Sequence, residues 1–141
     1  MRTAVDTNVL SAIWGRESNA HQLSQELAEA RRAGSVVICG PVFAEAMACR
    51  GATKAFIRTF LEQTGVQVAF DLGEDVWTES GRRFTRSVER KRQSVRQTPK
   101  HEPKRVLADF MIGAHALLHA DQLMTLDQKR YRKDFPELKL T

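Results

Sequence analysis

The stretch at residues 3–10 reads T-A-V-D-T-N-V-L, a short apolar run followed by an acid, two polar residues and further apolar residues. Residues 3–5 predict a strand that ends at Asp6. From residue 9 to residue 13 the apolar side chains recur at helical spacing, so the polar pair before them predicts a turn. The beginning of the chain therefore predicts a strand, a turn and a helix, with a carboxylate where the strand ends.

The same alternation of strands and helices continues along the chain. A helical stripe over residues 23–30 is terminated by Gly34, and the continuous apolar run 36–39 is typical of a strand buried on both faces. The remaining patterns predict a helix from Pro41 to Cys49, a helix from Thr53 to Gln63, a strand over 66–70, an amphipathic helix from Glu74 with Trp77, Gly81, Phe84 and Val88 on its inner face, a loop between Pro99 and Pro103, a buried helix over 106–120, a strand over 123–126 and a last edge strand over 138–140.

This order of elements predicts an α/β fold, a three-layer α/β/α sandwich around a central, mainly parallel sheet. The 141 residues are 42% hydrophobic and 28% charged with 8 Gly and 4 Pro, which excludes collagen-like, low-complexity and wholly disordered chains. No repeat or linker divides the sequence, so we expect one domain over residues 1–141. In parallel sheets, functional residues usually lie beyond the carboxyl ends of the strands.

Four acids occupy positions where such a sheet would bring them together. Asp6 and Asp127 each end a predicted strand, Glu45 lies early in a helix, and Asp109 lies near the start of the buried helix. Clustered carboxylates repel one another, and a divalent cation would relieve that repulsion. Oxygen ligands alone favour Mg²⁺ or Mn²⁺. The cluster therefore predicts metal-assisted hydrolysis of a phosphodiester bond.

Each acid also has a simpler explanation. Asp6 and Asp127 could cap the helices that follow them, and Glu45 could be a favourable charge in a first helical turn. Asp109 has mostly apolar neighbours, so its carboxylate requires a partner such as a metal ion or Arg105. Taken together, the four positions favour a site.

The positive charge of the chain is concentrated in one segment. The net charge is +5, yet residues 82–105 hold ten basic and two acidic side chains, against 12 and 15 in the rest. A solvated helix face would explain this run, and so would a surface for polyanions. We predict RNA contacts for the basic residues at its start, namely Arg82, Arg83, Arg86, Arg90, Lys91 and Arg92.

Four motifs occur in an order that resembles the PIN domain family, and most of all its VapC-type toxins. They are V-D-T-N-V-L at 5–10, P-V-F-A-E-A at 41–46, L-A-D-F-M-I-G-A-H-A at 107–116 and L-M-T-L-D at 123–127. The resemblance implies a Mg²⁺- or Mn²⁺-dependent endoribonuclease of a toxin–antitoxin system. It implies a catalytic set of Asp6, Glu45, Asp109 and Asp127, with Asp6, Asp109 and Asp127 as metal ligands.

The resemblance also implies helpers and partners. Thr125 matches a hydroxyl near the last acid, and Asn8 matches a residue that orients the acidic set. Such toxins usually form homodimers and are neutralised by a cognate antitoxin protein. The segment 89–105 is longer and more basic than the motifs require.

Other functions remain as alternatives. A haloacid dehalogenase-type phosphohydrolase requires a second aspartate where this chain has Asn8, and a receiver domain requires an aspartate that residues 36–39 do not offer. His115 and His119 could share a helix face at zinc-ligand spacing, but no third ligand is near in sequence. From another class, the protein could be a non-catalytic nucleic-acid-binding module, with the acids structural and the basic helix the working surface.

The sequence predicts no secretory signal and no membrane span. The most apolar segment, 106–120, is too short and carries Asp109 and two histidines. Cys39 and Cys49 lack C-x-x-C spacing and predict reduced thiols. We therefore expect a cytoplasmic protein without membrane contact.

Overall fold

A computed structural model describes residues 1–95 and 106–141 of the chain. The predicted loop between Pro99 and Pro103 and the basic residues between 96 and 105, Arg105 included, lie outside the described residues. The elements are β1 (Arg2–Val5), α1 (Thr7–Trp14), α2 (Ala20–Ala33), β2 (Ser35–Cys39), α3 (Gly40–Met47), α4 (Lys54–Thr64), β3 (Gln67–Ala69), α5 (Gly73–Val95), α6 (Leu107–His119), β4 (Gln122–Met124) and α7 (Gln128–Asp134).

The four strands form one parallel sheet in the order β3-β2-β1-β4. Ala4 of β1 pairs with Val37 of β2 on one side and with Leu123 of β4 on the other. This arrangement confirms the predicted α/β fold with a parallel central sheet. Because the strands are parallel, their carboxyl ends share one edge of the sheet, where α1 and α3 begin.

The core lies between the sheet and the helices that cover it. Strands β1 and β2 are buried from Ala4 to Val5 and from Val36 to Cys39, as a sheet covered on both faces requires. The largest fully buried side chains include Leu10, Phe110 and Phe135. Each such side chain contributes about 1.5–3 kcal/mol through removal of apolar surface from water.

The predicted inner face of α5 was wrong in part. Trp77 is 54% exposed and Gly81 is exposed, whereas the buried positions are Val76, Ser80, Arg83 and Ser87. The Ser80 hydroxyl donates to the carbonyl oxygen of Val76 at 2.6 Å and lies 3.4 Å from that of Phe110 in α6. The small Ser80 side chain allows α6 to approach closely, and its hydroxyl bonds to helix carbonyls. Because this buried face carries polar residues, the apolar pattern of the sequence did not predict it.

The end of the chain differs from the predicted edge strand over 138–140. It makes one parallel bridge, from Leu140 to Leu123 of β4. Two backbone bonds flank it, from the Leu123 amide to the Lys139 carbonyl and from the Thr141 amide to the Leu123 carbonyl. Most of the other elements end within about two residues of their predicted bounds, whereas α2 extends three residues beyond the predicted stripe at each end. No helix in the described part of the chain is both long and apolar enough to cross a membrane.

Candidate active site

Asp6 lies at the carboxyl end of the central strand β1, and its residue is only 6% exposed. One carboxylate oxygen accepts a hydrogen bond from the Thr7 amide at 2.7 Å, so Asp6 is also the N-cap of α1. The other oxygen accepts from the Thr125 hydroxyl at 2.8 Å. Capping therefore uses one carboxylate oxygen of Asp6, while the other is turned towards Thr125 at the end of β4.

Thr125 connects the ends of β1 and β4. Its hydroxyl oxygen accepts from the Asn8 side-chain amide at 3.3 Å and from the Asp127 backbone amide at 3.1 Å, while it donates to Asp6. The Asn8 carbonyl oxygen accepts from the Leu126 amide at 3.1 Å. Both predicted helpers thus lie against the acids, and each links two parts of the chain that are more than 100 positions apart.

Glu45 projects from the second turn of α3, where it is partly buried. One of its carboxylate oxygens accepts from the Thr7 hydroxyl at 3.2 Å. Burial raises the pKa of Glu45, the bond from Thr7 opposes that shift, and the charges of Asp6 and Asp109 raise it further. The pKa of Asp6 is likewise raised, chiefly by burial and in smaller part by Asp109. These three carboxyl groups therefore repel one another.

Asp109 lies in the first turn of α6, where the helix dipole favours an anion. The partner of its carboxylate is Arg130 of α7, whose Nη1 lies 3.1 Å from Asp109 Oδ2. Arg130 was not predicted as a partner; of the two candidates proposed from the sequence, a metal ion and Arg105, the latter lies outside the described residues. Asp109 and Arg130 are 21 positions apart, and only the packing of α7 against α6 brings them together.

Asp127 caps α7 and holds the same arginine from the other side. Its Oδ1 accepts from the Arg130 amide at 3.3 Å, and its Oδ2 lies 3.0 Å from Arg130 Nε. The spacing of three residues from a capping aspartate was a local signal that could have identified this pair. We call the set of Asp6, Glu45, Asp109 and Asp127 the acidic cleft.

Tyr131 follows Arg130 on α7 and turns inward. Its residue is only 3% exposed, and its hydroxyl has no hydrogen-bond partner of good geometry among the described residues. Burial raises the pKa of Tyr131, and the charges of Asp6 and Asp109 raise it further, which locates the phenol beside the acidic cleft. The phenol therefore lies close enough to Asp6 to interact with its carboxylate, although not with ideal hydrogen-bond geometry.

The chemistry of the acidic cleft fits a hard divalent cation. Its donors are carboxylate oxygens, which such ions prefer. The carboxyl groups of Asp6, Glu45 and Asp109 repel one another, and burial limits their solvation. Within residues 1–95 and 106–141, no three Asp, Glu, His or Cys side chains converge tightly enough to hold an ion as they stand. Two of the four acids are turned towards Arg130 instead.

The predicted RNA-contacting residues of α5 fall into two groups. Arg83 is buried and its guanidinium contacts Glu79, Glu137 and the Asp134 carbonyl, while Arg90 pairs with Asp134 of α7. On the other side, Arg82, Arg86 and Arg92 are exposed, and Arg82 makes only a 3.5 Å contact with Glu79. Lys91 is partly buried and has a partner. The solvent-facing charge of α5 therefore comes from a subset of the predicted residues.

Among the described residues, His115, His119 and the two cysteines form no metal-ligand cluster. His115 is buried in α6, and its ring stacks 6.1 Å from that of His119. His119 Nε2 lies 2.8 Å from Asp75 Oδ2, so this histidine has an acid partner. Both cysteines are free thiols, and burial raises the pKa of Cys39 to about 12. A thiol of that pKa is unreactive at neutral pH.

Comparison with protein families matches residues 3–136 to the PIN domain. Since the match covers nearly the whole sequence, the chain belongs to the PIN domain family. The membership confirms the resemblance seen in the four sequence motifs.

Two solved structures share the fold. One is the crystal structure of VapBC2 from Rickettsia felis bound to a DNA fragment from their promoter, with 19% identity, a TM-score of 0.65, and coverage of 100% of this chain and 98% of that chain. The other is the structure of VapBC-1 from nontypeable Haemophilus influenzae, with 18% identity, a TM-score of 0.62, and coverage of 100% and 97%. No curated protein matches the sequence closely enough to be counted as a relative.

Proposed function

We propose that the protein is a divalent-metal-dependent endoribonuclease and the toxin of a VapBC-like toxin–antitoxin pair. One observation carries the proposal: at the carboxyl edge of a parallel sheet, Asp6, Glu45 and Asp109 lie so close that the charge of Asp109 helps to raise the pKa of both Asp6 and Glu45. PIN domains are generally nucleases, and the chain belongs to the PIN domain family. Mg²⁺ or Mn²⁺ is the cation that these oxygen donors suit.

In this proposal Asp6, Asp109 and Asp127 would hold the cation. When bound, the ion would supply Lewis-acid charge and would make a water molecule easier to deprotonate. Asp6 is held in one orientation by Thr7 and Thr125, and Thr125 is in turn held by Asn8. This network orients the carboxylate before any ligand arrives, which lowers the cost of binding.

Glu45 takes the role of proton acceptor in the same scheme. Its pKa is raised by burial and by two neighbouring carboxylates, so the group is better matched to proton transfer near neutral pH than a solvated glutamate. The Thr7 hydroxyl fixes one of its oxygens at 3.2 Å. The second oxygen is then free to turn towards the reacting water.

RNA would be held outside the cleft by the exposed cations of α5. Arg82, Arg86 and Arg92 project to solvent on a helix that packs directly on α6, the helix that carries Asp109. Arg90 and Lys91 lie beside them, and Arg83 is not included because it is buried. If these cations contact RNA phosphates, the RNA affinity should fall as the salt concentration rises.

The proposed partners follow from the family and its solved relatives. Two structures with the same fold are named as VapBC assemblies, which supports a cognate antitoxin for this chain. A homodimer is part of the same proposal, and so is a cytoplasmic location. Exposed apolar side chains such as Phe56, Phe70 and Trp77 provide surface for protein contacts.

The test is cleavage of a labelled structured RNA with Mg²⁺ or Mn²⁺, alone and with EDTA. We expect Asp109→Asn to lower the rate at least about 100-fold, because it removes a charge of the cleft without changing the side-chain shape. The matched control is Asp71→Asn, since Asp71 is exposed and outside the cleft and Asn can still accept its bond from Gly73. The control and the parent protein should cleave at equal rates and lose cleavage in EDTA.

Two results would contradict the proposal. Equal cleavage by Asp109→Asn and the parent would indicate a contaminating nuclease or another site. RNA binding without metal-dependent cleavage, across several RNAs and with antitoxin shown to be absent, would instead support the non-catalytic binding module.

A further inference from the structure

We propose that Arg130 is an internal counter-ion of the acidic cleft, which occupies Asp109 and Asp127 until a divalent cation takes its place. The inference rests on the proposed function, because it concerns the same carboxylates. It makes Arg130 a positioning residue that determines how tightly the cleft binds its cation.

The contacts of Arg130 use two nitrogens of one guanidinium. Nη1 lies 3.1 Å from Asp109 Oδ2, and Nε lies 3.0 Å from Asp127 Oδ2. The side chain is only 28% exposed, and that of Asp109 only 17%. The arginine thus bridges two acids from different helices in a partly shielded place, where ion pairs are stronger than at the open surface.

The packing of α7 against α6 places Arg130 near Asp109. Phe135, just after α7, packs against Gly113, where an added Cβ would lie 2.3 Å from the ring. Gly113 lies one helical turn beyond Asp109 on α6, so the close approach at the glycine brings Arg130 towards the acid. The space enclosed by Asp109, Phe110, Arg130, Tyr131, Asp134 and Phe135 is too small for a water molecule, so the helices meet directly.

A cation in the cleft and Arg130 in its observed position exclude each other. The oxygens that face the guanidinium are Oδ2 of Asp109 and Oδ2 of Asp127, and these two acids are also proposed ligands. A divalent ion bound by both acids would lie next to the positive guanidinium and repel it. The ion and the guanidinium would also compete for the same carboxylate lone pairs. Cation binding therefore requires the two ion pairs to break, and the two events are linked.

Two further observations agree with an arrangement that a cation would change. The positive charge of Arg130 lowers the pKa of Glu45 against three causes that raise it, so the arginine acts on the cleft beyond Asp109 and Asp127. Beside it, the buried phenol of Tyr131 lies close to Asp6, and burial and the charges of Asp6 and Asp109 raise its pKa. Arg130 therefore balances only part of the negative charge of the cleft.

The experiment measures Mn²⁺ binding without reference to catalysis, by the loss of the free-ion signal in electron paramagnetic resonance. Arg130→Gln should bind Mn²⁺ about tenfold more tightly than the parent. If Arg130 occupies the two acids in about nine of ten parent molecules, the apparent Mn²⁺ affinity of the parent is lowered about tenfold. Arg130→Lys keeps the positive charge but cannot bridge Asp109 and Asp127 through two nitrogens, so its Mn²⁺ affinity should rise only about threefold. Arg132→Gln is the matched control, since Arg132 is exposed on α7 and donates a hydrogen bond of 3.0 Å to Gln128, outside the acidic cleft.

The outcomes separate this inference from the proposed function. Tighter Mn²⁺ binding by both Arg130 variants, with Arg132→Gln unchanged, supports the inference. Unchanged or weaker binding by the Arg130 variants, together with metal-dependent RNA cleavage by the parent, overturns the inference alone. If Arg130→Gln does not fold, the Arg130→Lys comparison decides by the same criterion. Absence of Mn²⁺ binding in every protein overturns both the inference and the proposed function.

Discussion

Two groups of arginines and acids lie at opposite ends of α7, and they differ in their balance of charge. At the end of α7, Arg83 and Arg90 of α5 meet Asp134 and Glu137, a group that we call the α5–α7 clamp. At its beginning, Arg130 meets Asp109 and Asp127 within the acidic cleft. The clamp pairs each described acid with an arginine, whereas the cleft adds Asp6 and Glu45 to its two paired acids.

The difference indicates what each group does. In the clamp, the Arg83 guanidinium lies 4.7 Å from the Phe135 ring centroid and holds Glu137 through two bonds of 2.9 Å. The pKa of Glu137 is accordingly lowered to about 2. Such a matched and stacked pair fixes the position of a helix. The cleft keeps repelling carboxylates, which is unfavourable for stability and suits a site that exchanges cations.

The largest effect should come from Glu45→Gln in the cleft. The amide keeps the shape of the side chain and its acceptor for Thr7, but it cannot take up a proton. RNA cleavage should fall about 100-fold or more. The melting temperature should stay constant or rise, because a charge that repels Asp6 and Asp109 is removed. Glu29→Gln, on the exposed face of α2, is the control for both measurements.

The clamp should respond in the opposite way, through stability. Arg83→Met should lower the free energy of unfolding by about 3 kcal/mol, because it leaves partly buried acceptors without a cation. Its neighbour Arg82 is 63% exposed at the side chain and makes a single 3.5 Å contact, so Arg82→Met should change stability by less than about 0.5 kcal/mol. Urea denaturation of both variants checks the contrast, and equal losses would mean that the clamp is not a stabilising unit.

The close contact that links the two regions can be tested with paired glycines. Gly113→Ala should cost about 2 kcal/mol, because the new methyl group meets the Phe135 ring. Gly81→Ala, in exposed α5, meets nothing within 4 Å and should stabilise the protein by about 0.5–1 kcal/mol. If the two substitutions had the same sign in thermal denaturation, the packing described between α6 and Phe135 would be wrong.

His115 adds a buried base without an acid partner among the described residues. Burial first, and then the charges of His119 and Arg2, lower its pKa from 6.5 to about 4. The unfolded chain therefore binds a proton at a higher pH than the folded protein does, so this group's contribution to stability decreases as the pH falls below about 6.5. Between pH 7 and pH 5 the expected loss is roughly 2 kcal/mol.

The measurement compares the parent with His115→Gln by urea denaturation at both pH values. The variant should lose less stability on acidification than the parent by that amount. The raised pKa values of Asp6 and Glu45 act in the opposite direction and are common to both proteins, so the difference isolates His115. An identical pH dependence in the two proteins would contradict the assignment.

Much of the fold could be predicted because short apolar segments alternate with amphipathic helices, and the continuous apolar run of β2 is typical of a sheet covered on both faces. The same patterns placed Asp6 at a strand end, and the family motifs added Asn8 and Thr125 to the acids. The cation that pairs with Asp109 could not be predicted, because Arg130 reaches it through helix packing rather than through sequence proximity. The inner face of α5 was missed for a different reason, since Ser80 and Arg83 are buried polar residues whose partners lie elsewhere in the fold.

The most direct test of the acidic cleft is a crystal structure of the protein soaked in Mn²⁺, with the ion located by its anomalous scattering. We expect a peak bounded by carboxylate oxygens of Asp6, Asp109 and Asp127, at about the 2.0–2.2 Å that hard divalent ions of this size require. We also expect that Arg130 no longer contacts Asp109. A cleft without an anomalous peak, at a Mn²⁺ concentration that supports cleavage, would contradict the proposed cation site.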